Sequence, residues 1–136
     1  LEVLYEIRKS CFDVQDFIYP QTKRIMTRVQ EKYENQLEYL WEKSPDTAIL
    51  RHENNQKWYA VLMKISWDKL EKGREGLVEA VNLKHDQVSD LLVKKGIYPA
   101  FHMNKRYWIS VPLDDSLSDK ELLELVEKSW NLTLKK

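Results

Sequence analysis

The apolar residues that follow Pro20 constrain the fold more than any other feature of this sequence. They recur every four positions, as the buried stripe of a helix does, at Ile25, Val29, Tyr33, Leu37 and Trp41. This spacing predicts a helix over residues 21–43 with Thr22 as its N-cap. We expect it to end before Pro45, because the residue that precedes a proline avoids the helical region. A short helix before it is predicted from the spacing of Val3, Leu4, Ile7 and Cys11.

Beyond Pro45 the period of the apolar residues changes to one that is typical of strands. The stretches TAILR and KWYAVLMKI are rich in β-branched and aromatic residues, and the polar stretch HENNQ separates them. They predict a hairpin over residues 47–65, in whose second strand Tyr59, Val61, Met63 and Ile65 share one face. LVEAVNLK, residues 77–84, predicts a third strand.

The last third of the chain predicts a helix, a second hairpin and a closing helix. In HDQVSDLLVKKG, Asp86 is the predicted N-cap and Gly96 the predicted end. YPAFHMNKRYWISVP, residues 98–112, predicts strand, tight turn and strand, with Asn104 as a turn residue that tolerates a positive φ. Ser118 and Glu121 have the spacing of a capping box at the start of the closing helix.

Strands and helices do not alternate regularly in this order, as they would in a parallel sheet. The order predicts a two-layer α+β fold, in which helices pack on one face of an antiparallel β-sheet and leave the other face partly open. We expect residues 45–136 to form this domain, and residues 1–44 to form an N-terminal helical extension packed on it.

Charge and cysteine content limit the classes of partner. The 22 Lys and Arg residues balance the 22 Asp and Glu residues, so no global field attracts the chain to nucleic acid or to anionic lipid. No apolar run approaches the roughly 18 residues that span a bilayer, and no signal peptide is recognisable. The single cysteine, Cys11, suits a reducing compartment. We therefore expect a cytoplasmic protein that does not bind membranes.

Motifs for catalysis and for cofactors are not recognisable. His52, His85 and His102 have no metal-ligand spacing to one another or to Cys11. A glycine-rich phosphate loop would need more glycine than the 3 in this chain. The sequence therefore predicts no metal site, no cofactor and no enzyme activity. A hydrolase stays as a third hypothesis for which no nucleophile and base can be named.

Residues 91–113 carry the strongest local charge bias. This region has no Asp or Glu, and its cations are Lys94, Lys95, Lys105 and Arg106. Lys105 and Arg106 fall at the predicted hairpin tip beside Tyr107 and Trp108, and such a tip can lie against a phosphate backbone. The structural alternative is equally physical, because Lys and Arg are common on exposed turns and aromatic residues on strands pack the sheet.

The segment PAFHMNKRYWISVPLDDSLSDKELLELVEKSW, residues 99–130, resembles the C-terminal signature of the MmcQ/YjbR family of small bacterial proteins. The matching residues are Pro99, Phe101, His102, Met103, Asn104, Lys105, Trp108, Leu113, Asp114 and Ser116. The stretches KWYAVLM and VNLKHD resemble the central strands of the family, so the resemblance covers roughly residues 45–134. Two positions depart from the pattern: Tyr107 replaces a frequent second histidine, and Asp115 replaces a frequent glycine.

The resemblance implies a CyaY-like fold and DNA binding through two wing-like hairpins, without enzyme activity or cofactor. One wing would be the turn from Asn104 to Arg106, and the turn from Glu53 to Lys57 would be the other. Our leading hypothesis is a non-enzymatic protein that binds double-stranded DNA weakly through its phosphates. The residues assigned to contact DNA are His102, Asn104, Lys105, Arg106, Arg51 and Lys57, with aromatic support from Tyr107, Trp108 and Trp58.

The alternative hypothesis is a module for protein interaction or small-ligand binding. In it an aromatic sheet face or cleft binds the partner, and the HMNK motif serves the fold. The five tryptophans of the chain motivate this alternative. The oligomeric state is left open.

Overall fold

The computed structural model describes residues 17–40 and 46–134. Its helices are α1 (Pro20–Tyr33), α2 (Val88–Leu91) and α3 (Asp119–Leu134). Its strands are β1 (Thr47–Arg51), β2 (Trp58–Ser66), β3 (Leu77–Lys84), β4 (Tyr98–Pro99) and β5 (Trp108–Pro112), with a short 3-10 turn at Trp67–Lys69. The strands form one sheet in the order β1-β2-β3-β5-β4, and every neighbouring pair is antiparallel.

The core lies between the sheet and the two long helices. The helices contribute buried apolar side chains at every third or fourth position: Ile25, Met26 and Val29 from α1, and Leu122 and Val126 from α3. The sheet contributes alternate residues from one face: Ala48, Leu50, Ala60, Leu62, Val81, Leu83, Ile109 and Val111. The predicted two-layer α+β fold with an antiparallel sheet is confirmed. The hairpin over residues 47–65 and the strand over residues 77–84 are also where the sequence predicts them.

Helix α1 begins and ends earlier than its apolar stripe predicts. It starts at Pro20, whose fixed φ suits the first helical position, so Tyr19 is the N-cap and Thr22 is buried inside the helix. It ends at Tyr33, because Glu34 adopts a left-handed φ of 49° and its N–H bonds back to the carbonyl of Gln30. The prediction of a helix to residue 43 and of Thr22 as N-cap is therefore wrong.

The chain after α1 extends the edge of the sheet. The N–H and carbonyl groups of Glu38 pair with those of Ile49 at 2.9 Å in both directions. This pairing satisfies backbone groups that an edge strand would otherwise leave open. Leu37, which the period assigned to the helix, is buried from this extended segment. The short helix predicted before α1, and Trp41, lie outside the described residues.

A β-bulge changes the face on which Tyr59 lies. Leu50 pairs with Ala60 but Arg51 pairs with Trp58, so Tyr59 is the extra residue of the bulged strand. Its ring turns toward the helices and lies 4.9 Å from the ring of Trp130, in an edge-to-face arrangement. The prediction that Tyr59 shares a face with Val61 and Met63 is therefore wrong.

The second face of the sheet is more deeply buried than expected. Ile49, Val61 and Met63 on this face are all at most 6% exposed. The loop that follows β4 covers part of it, since Phe101 and Met103 line one cleft with Val61 and Met63.

Capping and turn residues give a mixed outcome in the last third of the chain. The capping box at α3 is confirmed, with Ser118 Oγ accepting from the N–H of Glu121 at 3.2 Å. Helix α2 is only one turn long, and its N-cap is Gln87, not Asp86. The residue with a positive φ in the second hairpin loop is His102, at 62°, and not Asn104. Among residues 17–40 and 46–134, no helix combines the length and the apolar character needed to cross a membrane.

Candidate nucleic-acid interface

Both predicted wings lie at the same end of the sheet. Residues 52–57 join β1 to β2, and residues 100–107 join β4 to β5. The pairs Ala60↔Leu83 and Lys84↔Trp108 put the start of β2, the end of β3 and the start of β5 at one end of the sheet. Neighbouring strands are about 4.8 Å apart, so the ends of the two turns on β2 and β5 are separated by about 10 Å. We call the turns 52–57 and 100–107, together with Lys84, the basic end.

Buried polar side chains of the sheet hold the loop 101–103 in place. The amide Nδ2 of Asn82 donates to the carbonyl of Phe101 at 2.9 Å, and the N–H of Phe101 donates to Ser110 Oγ at 2.9 Å. The Ser110 hydroxyl in turn donates to Asn82 Oδ1. Asn82 and Ser110 are opposite each other on β3 and β5, and both are fully buried. This network fixes the loop that carries the HMN sequence on the second face of the sheet.

Asn104 shapes the turn that presents the two cations. Its side-chain oxygen accepts from the N–H of Arg106 at 2.8 Å, and its carbonyl accepts from the N–H of Trp108 at 3.0 Å. Lys105 and Arg106 are exposed, and neither makes an ion pair with any residue that the structure describes. Two unpaired cations at a fixed turn are available to a phosphate.

His102 and Tyr107 are both exposed on the same loop. The ring of His102 lies 3.9 Å from that of Phe101, and the carbonyl of Tyr107 accepts from the N–H of His85 at 2.8 Å. Trp108 is half-buried at the start of β5. His102 is therefore a surface group at the rim of the loop, while Trp108 ties the loop to the sheet.

The first wing is less available than the sequence predicts. Arg51 directs Nε and Nη2 to the carboxylate of Glu38 at 3.0 and 2.8 Å, which is the strong two-bond arrangement of a guanidinium and a carboxylate. Asn55 donates to the carbonyls of Thr133 and Leu134, so this turn is fastened to the end of α3. Lys57 is exposed at the last position of the turn, where its carbonyl accepts from the N–H of His52 at 2.9 Å, and Trp58 is half-buried. Arg51 is thus committed to an ion pair with Glu38.

Lys84 is a cation of the basic end that our sequence reasoning did not assign. It pairs with Trp108 across β3 and β5, and it is half-buried without an ion-pair partner among the described residues. Strand alternation could have revealed it, because Lys84 is two positions from Asn82 and so points to the same face.

The remaining histidines, His52 and His85, are buried. His52 is buried beside Trp130, with ring centroids 4.1 Å apart, and burial lowers its pKa. Its Nε2 lies 2.7 Å from the Thr133 hydroxyl. Burial also lowers the pKa of His85, whose Nδ1 accepts from the N–H of Gln87 at 3.0 Å. No group of three or more His, Cys, Asp or Glu side chains in residues 17–40 and 46–134 could hold a metal ion.

An apolar cleft opens beside the loop 101–103 and has a volume of about 290 Å³. We call it the Phe101 cleft. Its lining residues are Thr47, Trp58, Val61, Met63, Ile65, Asn82, Phe101, His102 and Met103. Because His102 and Met103 belong to the same loop as Lys105 and Arg106, the cleft adjoins the basic end.

These features define a class of small α+β proteins in which two hairpin turns lie at the same end of an antiparallel sheet. One of the turns carries two cations that make no ion pair with a described residue. The chain belongs to the YjbR family, whose model matches residues 30–132. The match begins inside α1 and continues nearly to the end of α3.

Relatives of known sequence and structure agree with this assignment. The chain is 39% identical to the Bacillus subtilis uncharacterized protein YyaQ over 111 residues, which cover 80% of this chain and 94% of YyaQ. A crystal structure of a Pseudomonas syringae protein shares 42% identity, with a TM-score of 0.79 over 82% of this chain and 97% of that one. A Deinococcus radiodurans protein of the DUF419 domain family, at 20% identity and a TM-score of 0.60 over 82% of each chain, shares the fold.

Proposed function

We propose that this protein is a non-enzymatic DNA-binding protein that contacts the phosphate backbone of a duplex through its basic end. The observation that carries the proposal is the set of cations Lys84, Lys105 and Arg106, which make no ion pair with a described residue and lie at the end of the sheet that carries both hairpin turns. The single cysteine suits the reducing cytoplasm, where such a protein would meet DNA.

Phosphate is the group that this arrangement suits best. Lys and Arg side chains that make no ion pair in the free protein can bind an anion without first breaking a salt bridge. The fixed turn at Asn104 also lowers the entropy that is lost when the cations become ordered on a partner.

The affinity should be modest and sensitive to salt. The chain has no net charge, so long-range attraction to DNA is weak and binding depends on a few local contacts. Phosphate contacts carry no sequence information of their own, so we expect little preference among duplexes of different sequence.

Fluorescence anisotropy with a labelled duplex at low and at physiological salt tests the proposal. We expect the double substitution Lys105→Ala and Arg106→Ala to weaken binding about three- to thirtyfold, which corresponds to about 0.3–1 kcal/mol for each exposed charge contact. The matched control is Lys69→Ala with Lys72→Ala, which removes two exposed lysines at the opposite end of the sheet. We expect this control to bind like the unmodified protein.

Two results would contradict the proposal. One is the absence of duplex binding even at low salt. The other is equal weakening by the two double substitutions, because that would show a response to total charge and not to the basic end.

The second candidate function is binding of a small ligand or of a protein partner in the Phe101 cleft. The apolar character of the cleft favours it, since ligand sites are concave and mostly apolar with a few polar groups. If the protein does not bind duplex DNA, while Phe101→Ala weakens the binding of an added small ligand or protein partner, this candidate replaces the first.

A further inference from the structure

We propose that the Phe101 cleft receives one unpaired, unstacked base of the nucleic acid whose phosphates the basic end holds. The inference rests on the proposed function, because the phosphate contacts bring the base to the cleft. It assigns a class of ligand to a cavity that has no role in the contacts between the basic end and phosphates.

The size and the walls of the cleft suit a single planar ring system. At about 290 Å³ it is just below the ~300–1,000 Å³ range of pockets for drug-sized ligands, which suits a smaller ligand. Phe101 and Met103 of the loop 101–103 form one wall, and Val61 and Met63 from β2 complete an apolar surface. Aromatic rings stack on the face of any base, and methionine sulfur also makes favourable contacts with aromatic rings.

Asn82 shapes the wall of the cleft. Its amide is fully buried, and its bonds to the Phe101 carbonyl and the Ser110 hydroxyl hold the loop 101–103 beside the opening. The wall is therefore in place before a base enters, which lowers the entropy that is lost on binding.

The charges beside the cleft favour a base that is attached to phosphate. Lys105 and Arg106 follow the cleft residues His102 and Met103 along the same loop, and Lys84 lies two residues beyond Asn82 on the same face of β3. None of the three cations is paired with a described carboxylate. An apolar peptide or lipid chain would not use these charges, whereas a nucleotide within a strand would use both the cleft and the cations.

Four probes separate this inference from the function on which it rests: a duplex, the same duplex with one bulged base, the same bulge with an abasic residue, and free adenosine monophosphate. We expect the bulged duplex to bind about 5- to 150-fold more tightly than the plain duplex, which is the size of one base stacked on aromatic side chains. The abasic bulge should bind like the plain duplex.

Substitutions of cleft residues provide a second test of the base site. Phe101→Ala should reduce the preference for the bulged base, measured as the ratio of bulged to plain duplex affinity in the same variant, to near one. Met103→Ala, at a half-buried position, gives the same test should the first variant fold poorly. Tyr107→Ala removes an exposed aromatic ring outside the cleft and should preserve the preference.

The outcomes are distinguishable. Absence of plain duplex binding by the unmodified protein refutes the proposed function itself. Duplex binding without preference for the bulge, or an equal preference for the abasic bulge, overturns the base site and leaves the phosphate contacts standing. Binding of free adenosine monophosphate that Phe101→Ala abolishes, without any preference for the bulged duplex, assigns the cleft to a free nucleotide and also overturns the inference.

Discussion

The substitution Asn82→Ala should destabilise the protein and release the loop that carries the HMN sequence. Asn82 is fully buried, donates to the carbonyl of Phe101 at 2.9 Å and accepts from the Ser110 hydroxyl. Its removal leaves the buried Ser110 hydroxyl without an acceptor, which costs about 1–3 kcal/mol. The lost bond to the partly buried Phe101 carbonyl adds about 0.5–1.5 kcal/mol. We therefore expect the free energy of unfolding to fall by about 1.5–4.5 kcal/mol.

Urea denaturation of a double-mutant cycle measures this coupling. The cycle compares Asn82→Ala, Ser110→Ala and the double variant, and the two residues are in direct contact, so their effects should not add. We expect the double variant to lose less stability than the sum of the single variants, by about 1–2 kcal/mol. A second readout, hydrogen exchange, should show faster exchange of the Phe101 N–H in Asn82→Ala.

Additive effects of the two substitutions would refute this account of the loop. So would a loss below about 0.5 kcal/mol for Asn82→Ala, since that is the size of an ordinary surface substitution. In either case the HMN loop would be held by contacts other than the Asn82 and Ser110 network.

Three further predictions concern stability. Burial lowers the pKa of His52 and of His85, so the unfolded state takes up protons first as pH falls. Unfolding experiments should therefore show stability that is level at neutral pH and decreases below about pH 6.5. Gly96→Ala should lower the melting temperature, because Gly96 has a φ of 95° and a new Cβ would lie 3.3 Å from a methyl carbon of Leu117. Glu79→Gln should cost about 1–3 kcal/mol in urea denaturation, since this buried carboxylate accepts the two backbone N–H groups that precede α1.

Elements with strong local signals were predictable from the sequence. The hairpin over residues 47–65 and the strand over residues 77–84 follow from β-rich runs and polar turns, and the capping box at Ser118 and Glu121 follows from spacing alone. Each of these signals is contained within a few neighbouring residues.

The features that sequence reasoning missed depend on contacts between distant residues or on single backbone angles. Helix α1 stops at Glu34 because of one left-handed residue, and a glutamate gives no sequence signal for that conformation. The bulge turns Tyr59 toward Trp130, which belongs to α3 and is distant from Tyr59 in the sequence. His102, with the positive φ, follows Phe101, which Asn82 and Ser110 hold from two other strands.

The candidate site was predictable only in part for the same reason. Lys105 and Arg106 stand out by local charge, and they are unpaired where the structure describes their surroundings. Arg51 had the same charge but is engaged by Glu38, thirteen residues earlier in the chain. Strand alternation puts Lys84 on the face of Asn82, but its place beside Trp108 and the Phe101 cleft become visible only when the register of β2, β3 and β5 is known.

The salt dependence of duplex binding tests the central claim most directly. If Lys57, Lys84, Lys105 and Arg106 each neutralise one phosphate, log K should fall with log salt at a slope of about −3 to −4. In the double variant Lys105→Ala and Arg106→Ala the slope should become less steep, at about −2. In the control Lys69→Ala and Lys72→Ala it should not change. An unchanged slope in the first variant, or the absence of any salt-dependent binding by the unmodified protein, would contradict phosphate recognition by the basic end.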